Sequence, residues 1–260
     1  MKTVSKQRLD VAMHERGLCE SRKKAQALIL KGSVYVNDIP VVKAGTFVMP
    51  SDIIACKGEK MPFVSRGGLK LAEALDRFNI SPKDCICLDV GASTGGFTDC
   101  LLQRGALKVY AVDVGYGQLA WKLQTNPHVI SLERTNFRYI DPLLIPDPID
   151  LVVIDVSFIS LKLIVPAAIP FLTPGAKLLP MIKPQFEVGK EDVGNGVITD
   201  PSLHRKVLND LADFFKKIGF TVSDPILSPI LGPKGNQEFF CLLEKSIEEL
   251  FDKNSTSRQK

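Results

Sequence analysis

Apolar residues fall into two regimes along the chain. Up to about residue 56 they form short, closely punctuated groups. From residue 85 they form continuous runs separated by longer mixed segments. The runs "CICLDV" (85–90), "KVYAVDV" (108–114), "HVISLE" (128–133), "DLVVIDV" (150–156) and "AKLLPMI" (176–182) show little alternation. That is the pattern of strands covered on both faces, as in a parallel sheet with helical crossovers. "SLHRKVLNDLADFFKKIGF" places Val207, Leu208, Leu211, Phe214, Phe215 and Ile218 on one helical stripe. "FTVSDPILSP" and "QEFFCLLEK" follow with no helix between them and predict an antiparallel pair. Five parallel strands finishing in a hairpin differ from the symmetric dinucleotide-binding order. Ahead of the first strand, "RGGLKLAEAL" predicts a helix with an apolar stripe of Leu69, Ala72 and Leu75.

The N-terminal groups read as a smaller module. Leu9, Ala12 and Met13 predict a short helix ending near Gly17. Ser21 is a suitable N-cap for a second helix with Ala25, Leu28 and Ile29 on its apolar face, stopped by Gly32. "SVYVND" alternates as a strand and turns at Asn37-Asp38, and "IPVVKAGTFVMPSDIIAC" supplies two more short strands. Arg22, Lys23 and Lys24 occupy the first turn of the second helix, where the helix dipole prefers acids. Phosphate at that turn would offset the mismatch. The "RLD…RGL…SR..A..LI..G.V.VN" pattern resembles the α-L RNA-binding fold of small-subunit ribosomal protein S-four. The resemblance implies contacts to structured RNA through Arg8, Arg22, Lys23, Lys24 and Lys31.

Charge sharpens the division. The 260 residues carry a net +4. Residues 1–60 hold eleven Lys and Arg against six Asp and Glu, and the rest is close to balance. A basic module on a near-neutral body suits a nucleic-acid handle on a catalytic domain. Six cysteines without C-x-x-C spacing, among them Cys85, Cys87 and Cys241 in strand-like runs, read as reduced core thiols of a cytoplasmic protein. Three histidines without close acidic or cysteine partners give no metal site. No signal-type segment opens the chain, and "LIVPAAIPFLTPGA" is short of the roughly 20 apolar residues a membrane span needs and is broken by proline.

The candidate chemistry sits at strand ends. The first strand runs into "LDVGASTGGFTD", a G-x-x-x-G-G loop led by Asp89, with Gly91, Ser93, Gly95 and Gly96. Dinucleotide enzymes space their glycines G-x-G-x-x-G so that pyrophosphate meets the helix N-terminus. The spacing here favours S-adenosylmethionine, which has no phosphate and carries an ammonium that an acid near the loop can meet. Asp113 ends the second strand, where an acid accepts hydrogen bonds from ribose hydroxyls. Asn136 follows the third strand, either near the adenine or serving its own loop. Asp155 closes the fourth strand, and Phe158 beyond it packs either on a base or on the core.

Lys183 follows the fifth strand in "PMIKPQFE", and Glu238 begins the last one in "GNQEFF". The sheet order brings Asp155, Lys183 and Glu238 to one rim, which the helix bearing Lys70 can cross. Methyl transfer from a sulfonium is an in-line displacement in which positioning supplies much of the rate. A ribose 2′-hydroxyl is a poor nucleophile until it loses its proton. A lysine can take that proton once burial and a neighbouring cation bring it below its usual value of about 10.4. Lys183 is the candidate base, Lys70 the neighbouring cation, and Asp155 and Glu238 the groups that orient the amines, although the sequence leaves open which lysine acts.

The blocks "VSRGGLKL", "LDVGASTGGFTD", "VVIDVSFISL", "IKPQFE" and "GNQEFF", in that order after the α-L module, resemble the TlyA (hemolysin A) family of bacterial rRNA 2′-O-methyltransferases. The catalytic part is similar to FtsJ-type enzymes. The resemblance implies an α/β fold, a class I SAM-methyltransferase (Rossmann-like, seven-stranded mixed sheet) behind a small α-L domain. It implies a Lys-Asp-Lys-Glu tetrad at Lys70, Asp155, Lys183 and Glu238, S-adenosyl-L-methionine as cofactor, and cytidine 2′-hydroxyls of ribosomal RNA or ribosomal subunits as substrate. The expected division is 1–59 for the α-L domain, 60–66 for a linker, 67–250 for the methyltransferase domain and 251–260 for a polar tail. Arg66, at the joint, joins the RNA-binding set. Phe63 stands where some members carry tryptophan. No membrane and no obligate protein partner are expected. Two other classes remain to be weighed: a membrane-active hemolysin and a non-catalytic ribosome-assembly factor.

Overall fold

The computed structural model describes residues 6–37, 39–56, 61–189, 191, 194 and 196–245. The chain forms two compact units, Met1–Lys60 and Met61–Lys260. The expected polar tail and Asp38 of the Asn37-Asp38 turn lie outside the described residues.

In the first unit the order is β1 (Gln7–Arg8), α1 (Leu9–Glu15), α2 (Arg22–Leu30), β2 (Val34–Val36), β3 (Ile39–Val41), β4 (Phe47–Val48) and β5 (Ile54–Cys56). The strands make a three-stranded sheet in the order β3-β2-β5 and a separate β1-β4 pair, all antiparallel. Leu9, Ala12, Met13, Ala25, Ile29, Val34 and Val48 form its core. The Ser21 hydroxyl accepts from Lys24 N at 3.2 Å, capping α2 as its residue type predicts. Gly17 and Gly32 end the two helices with φ of +69° and +74°.

The second unit begins with α3 (Gly67–Arg77) and continues β6 (Ile86–Val90), α4 (Gly96–Gln103), β7 (Lys108–Val112), α5 (Trp121–Gln124), β8 (Val129–Leu132), β9 (Ile149–Ile154), α6 (Leu161–Ala168), β10 (Leu172–Ile182), α7 (Pro201–Lys217), β11 (Phe220–Val222), β12 (Ile226–Leu227), β13 (Phe239–Phe240) and β14 (Leu243–Lys245). The main sheet runs β11-β14-β10-β9-β6-β7-β8, with β6 to β10 mutually parallel and β14 antiparallel to both neighbours. These seven strands are the mixed α/β sheet of the methyltransferase fold, and β13, which pairs β10, and β12, which pairs β13, bring the sheet to nine. Alternate strand residues serve two cores, as a period of two requires. Leu88, Val90, Val152, Ile154 and Leu178 pack with residues of α6 and α7. Cys87, Val109, Leu151, Val153 and Leu179 pack with residues of α3 and α4.

Two local expectations need correction. The buried face of α3 is Gly68, Leu71, Ala74 and Leu75. Leu69 and Ala72 are only partly buried. Leu71 and Ala74, one turn apart with Leu75, fill the space over Cys87 and Phe97, so the stripe is rotated from Leu69-Ala72. The last strand is not continuous. β13 pairs β10 at Met181↔Phe240 and β14 pairs it at Leu178↔Leu243, which is one unbroken register. The ladder lapses between them, opposite Leu179 and Pro180, and proline has no N–H to give it.

Candidate active site

Parallel strands end together, so the segments that follow β6, β9 and β10 share one edge of the sheet. A cavity of about 380 Å³ opens there, lined by Lys70, Asp155, Lys183 and Glu238 among others. Asp155 directly follows β9 and Lys183 directly follows β10. Glu238 immediately precedes β13, and Phe239 lies opposite Ile182, so the antiparallel strand brings the residue just before it to the same edge. Lys70 arrives from the first turn of α3. The four groups form two ion pairs. Lys70 Nζ donates to Glu238 Oε2 at 2.5 Å. Lys183 Nζ lies 2.6 Å from Asp155 Oδ1 and donates to Ser157 Oγ at 3.0 Å. Glu238 is 1% exposed, and its second oxygen has no hydrogen-bond partner among the described residues. A buried carboxylate of this kind depends on its one cation.

The loop from Gly91 to Gly96 forms the next wall, and its glycines are dictated sterically. Gly91 has φ +87°, and a Cβ there would stand 2.5 Å from the Asp155 carbonyl oxygen. Gly95 has φ +90° and turns the chain into α4. A side chain on Gly96 would run into Ser65. Ser93, without that freedom, still adopts φ +48°. Gly91, Ser93 and Gly96 line the cavity, while Asp89, Gly95, Asp113 and Asn136 do not.

Those four do structural work nearby. Asp89 is fully buried beneath the loop and accepts from Thr98 Oγ1 at 2.7 Å. Its other oxygen has no partner among the described residues. Burial, opposed by the Thr98 bond, pushes its pKa up to about 7. Asp113 accepts from the backbone N–H of Ser93 at 2.8 Å and of Gly115 at 2.7 Å, bracing two loops. Asn136 is exposed and caps its own 3-10 turn by accepting from Arg138 N at 3.2 Å.

Sequence reasoning passed over Ser65, Thr94, Phe97, Ser157, Leu231 and Gly232. Of these all but Ser157 line the cavity, and Ser157 holds Lys183. It also passed over Asp99, a nearly buried carboxylate that accepts from Val64 N at 2.8 Å and pairs with Lys122 at 2.9 Å. That bond fixes the segment carrying Ser65 and Arg66 against α4. Phe158 does not pack on the core: it is 90% exposed, has φ +63°, and its ring meets that of Phe186 tilted by 49°, with centroids 4.9 Å apart.

In the first unit Asp10 reorganises the basic set. It is completely buried at the start of α1. Arg8 donates to both its oxygens, at 3.0 and 3.2 Å, Arg22 donates at 3.3 Å and Gln26 at 2.7 Å. The Arg8 bonds, against burial and with help from Gln26 and Arg22, hold its carboxyl well below the usual range. Arg8 and Arg22 therefore spend part of their guanidinium donors inside the unit. Lys24 pairs with Glu20 at 2.9 Å on the surface. Lys23 and Lys31 are exposed.

Comparison with known proteins matches each of the two units to a different family model. Residues 63–245 match the FtsJ-like methyltransferase model and residues 7–54 match the S4 domain. The chain is 44% identical over 243 residues to the 16S/23S rRNA (cytidine-2′-O)-methyltransferase TlyA of Mycobacterium tuberculosis, covering 93% of this chain and 91% of that one. It is 43% identical over 236 residues to hemolysin A of Brachyspira hyodysenteriae, covering 90% and 98%. A solved structure from Streptococcus thermophilus, assigned provisionally as a hemolysin, shares 42% identity with a TM-score of 0.73, covering 98% of this chain and all of that one.

Proposed function

The chain belongs to the TlyA (hemolysin A) family, an FtsJ-like methyltransferase body behind an S4 domain, and from that premise we propose that it methylates the 2′-hydroxyl of a cytidine in ribosomal RNA. The observation that carries the proposal is the meeting of two lysine–carboxylate pairs, Lys70–Glu238 and Lys183–Asp155, around one cavity beside a glycine loop.

The loop suits S-adenosylmethionine. Gly91 and Gly96 leave the backbone bare where side chains would fill the cradle, and the acids nearby can meet an ammonium. Gly91, Ser93 and Gly96 would hold that cofactor, with Asp113 and Asn136 toward its nucleoside and Asp89 supporting the loop from below. When bound, it supplies an electrophilic methyl group on a sulfonium. The residues of this chain then have distinct tasks. Lys183, fixed by Asp155 and Ser157, would hold the 2′-hydroxyl and accept its proton as that oxygen takes the methyl group. Lys70, paired with Glu238, presents a cation to the same space. There it would favour negative charge developing on the oxygen. Phe158 offers an exposed ring on which a base can stack. Arg66, at the cavity wall, and the basic residues of the first unit hold the RNA backbone.

The name hemolysin invites a membrane reading. Among the described residues no helix is long and apolar enough to cross a membrane, and the lysine–carboxylate cavity gives the enzymatic reading its specific support. Mapping 2′-O-methyl groups on ribosomal RNA by mass, from cells with and without this protein, tests the proposal. One cytidine should lose its methyl group when the protein is missing. In vitro, Lys183→Ala should lose transfer of tritiated methyl groups by about 10²- to 10⁴-fold while still binding RNA. Undiminished transfer by that variant, or identical methylation maps, would sink the reading.

A further inference from the structure

We propose that Glu187 is a positioning residue that sets the separation of the two loops carrying Asp155 and Lys183, and so the place of the Lys183 amine. The inference rests on the proposed role of Lys183. The loop after β9 and the loop after β10 touch at successive rungs. Lys183 meets Asp155 and Ser157 at the cavity end. Phe186 meets Phe158 in the middle. At the far end Glu187 Oε2 accepts from Ser160 Oγ at 2.6 Å, and Glu187 Oε1 accepts from Leu161 N at 2.8 Å.

Ser160 and Leu161 are the N-cap and first residue of α6. The carboxylate therefore binds where amides are unpaired and the helix dipole is positive. It is a strong anchor for a short loop. The segment between anchor and amine is stiff, because Pro184–Phe186 is a 3-10 turn closed by Phe186 N to Lys183 O at 2.9 Å and Glu187 N to Pro184 O at 3.0 Å. Glu187 does not line the cavity, and its hydrogen bonds go to Ser160 and Leu161 at the start of α6. Its effect on chemistry can pass only through the geometry of the rungs. In-line transfer is sensitive to displacements of about 1 Å, which are worth on the order of 10²-fold in rate.

The experiment compares Glu187→Ala and Glu187→Gln with the full-length wild type. It uses tritiated S-adenosylmethionine and ribosomal subunits from cells lacking the protein, with turnover expressed per cofactor-binding site counted by calorimetry. Glu187→Ala should lower kcat about 10- to 100-fold with the KM for S-adenosylmethionine within twofold. Glu187→Gln keeps an acceptor for Leu161 N and a polar partner for Ser160, and should recover to within about threefold of wild type. Counting sites separates this from a purely structural role, which would lower the number of competent sites and leave turnover per site unchanged. Wild-type turnover per site in Glu187→Ala overturns the proposal, and so does a Glu187→Gln variant as slow as the alanine one. Lys183→Met, run in parallel, distinguishes the two levels. If it stays active, the role of Lys183 fails. If it is inactive while Glu187→Ala is fully active, only the positioning role fails.

Discussion

Lys70 and Glu238 stand 168 residues apart in the chain, yet their side chains meet at 2.5 Å. The contact ties α3, ahead of β6, to the segment just before the antiparallel strand β13. Glu238 has no other side-chain partner among the described residues, and the Lys70 side chain is only 11% exposed. Removing one member of such a pair leaves a buried charge uncompensated, which costs about 3–5 kcal/mol. Lys70→Met should therefore destabilise the catalytic unit by about that much. Lys70→Met combined with Glu238→Gln should restore much of the loss and remain inactive. Calorimetric unfolding of the single and double variants checks this, and additive losses would show that the pair does not interact as described.

The glycine loop makes a sharper demand. At Gly91 a methyl group would face the Asp155 carbonyl at 2.5 Å in a backbone region that L-residues avoid. Left-handed strain alone costs about 1–3 kcal/mol, and the clash displaces the backbone that carries Asp155. Gly91→Ala should weaken S-adenosylmethionine binding at least tenfold by calorimetry and lower methyl transfer with it. Gly105→Ala is the control, since it has φ +90° but lies away from the cavity and meets only Lys83, at 3.4 Å and beyond. It should lose stability without losing affinity.

What the sequence made legible follows from range. Strand ends are visible because buried runs stop at polar residues, so Asp113, Asp155 and Lys183 can be assigned to the rim from pattern alone. Lys70 is different. Its helix has a rotated stripe, and nothing local says that it reaches Glu238. Only the ordered blocks shared with the family pointed there. Asp10 escaped altogether. Its partners lie on two different segments, Arg8 on β1 and Arg22 and Gln26 on α2, and a lone acid in a basic module carries no periodic signal. Asp99 and Glu187 escaped for the same reason, since each holds a backbone N–H from a distant segment. The break opposite Pro180 was visible in principle, but a proline in a central strand is uncommon enough that the run "QEFFCLLEK" outweighed it.

Asp89 links burial to pH. Its pKa rises to about 7, chiefly through burial and against the Thr98 hydrogen bond. The folded state thus holds a proton that the unfolded chain releases near pH 4. The stability this contributes is complete below about pH 4 and is lost as pH rises through about 7. Asp89→Asn cannot ionise and should escape that loss. Relative to wild type, its stability should gain ground between about pH 4 and pH 7 and level off above, by on the order of 4 kcal/mol at most. A difference independent of pH would mean that Asp89 is already ionised at pH 5.

In the N-terminal unit the two kinds of basic residue should separate by experiment. Lys23 and Lys31 are exposed and carry charge to the surface, whereas Arg8 and Arg22 are held by buried Asp10. Each phosphate contact contributes a slope of about 0.7–0.9 in log affinity against log salt. Lys23→Ala and Lys31→Ala should each reduce that slope by nearly one unit if they meet phosphate, with the melting temperature of the unit unchanged. Asp10→Asn acts the other way. The carboxyl is held well below its usual range, so its contribution is present above about pH 4 and is lost only in acid. At neutral pH the substitution should destabilise the N-terminal unit by about 1–3 kcal/mol, the usual loss for a buried charged hydrogen-bond acceptor. It should also free two guanidinium groups, so the salt slope at low temperature should stay level or rise. A slope that falls with Asp10→Asn while the unit remains folded would show that Asp10 orients Arg8 and Arg22 toward the RNA.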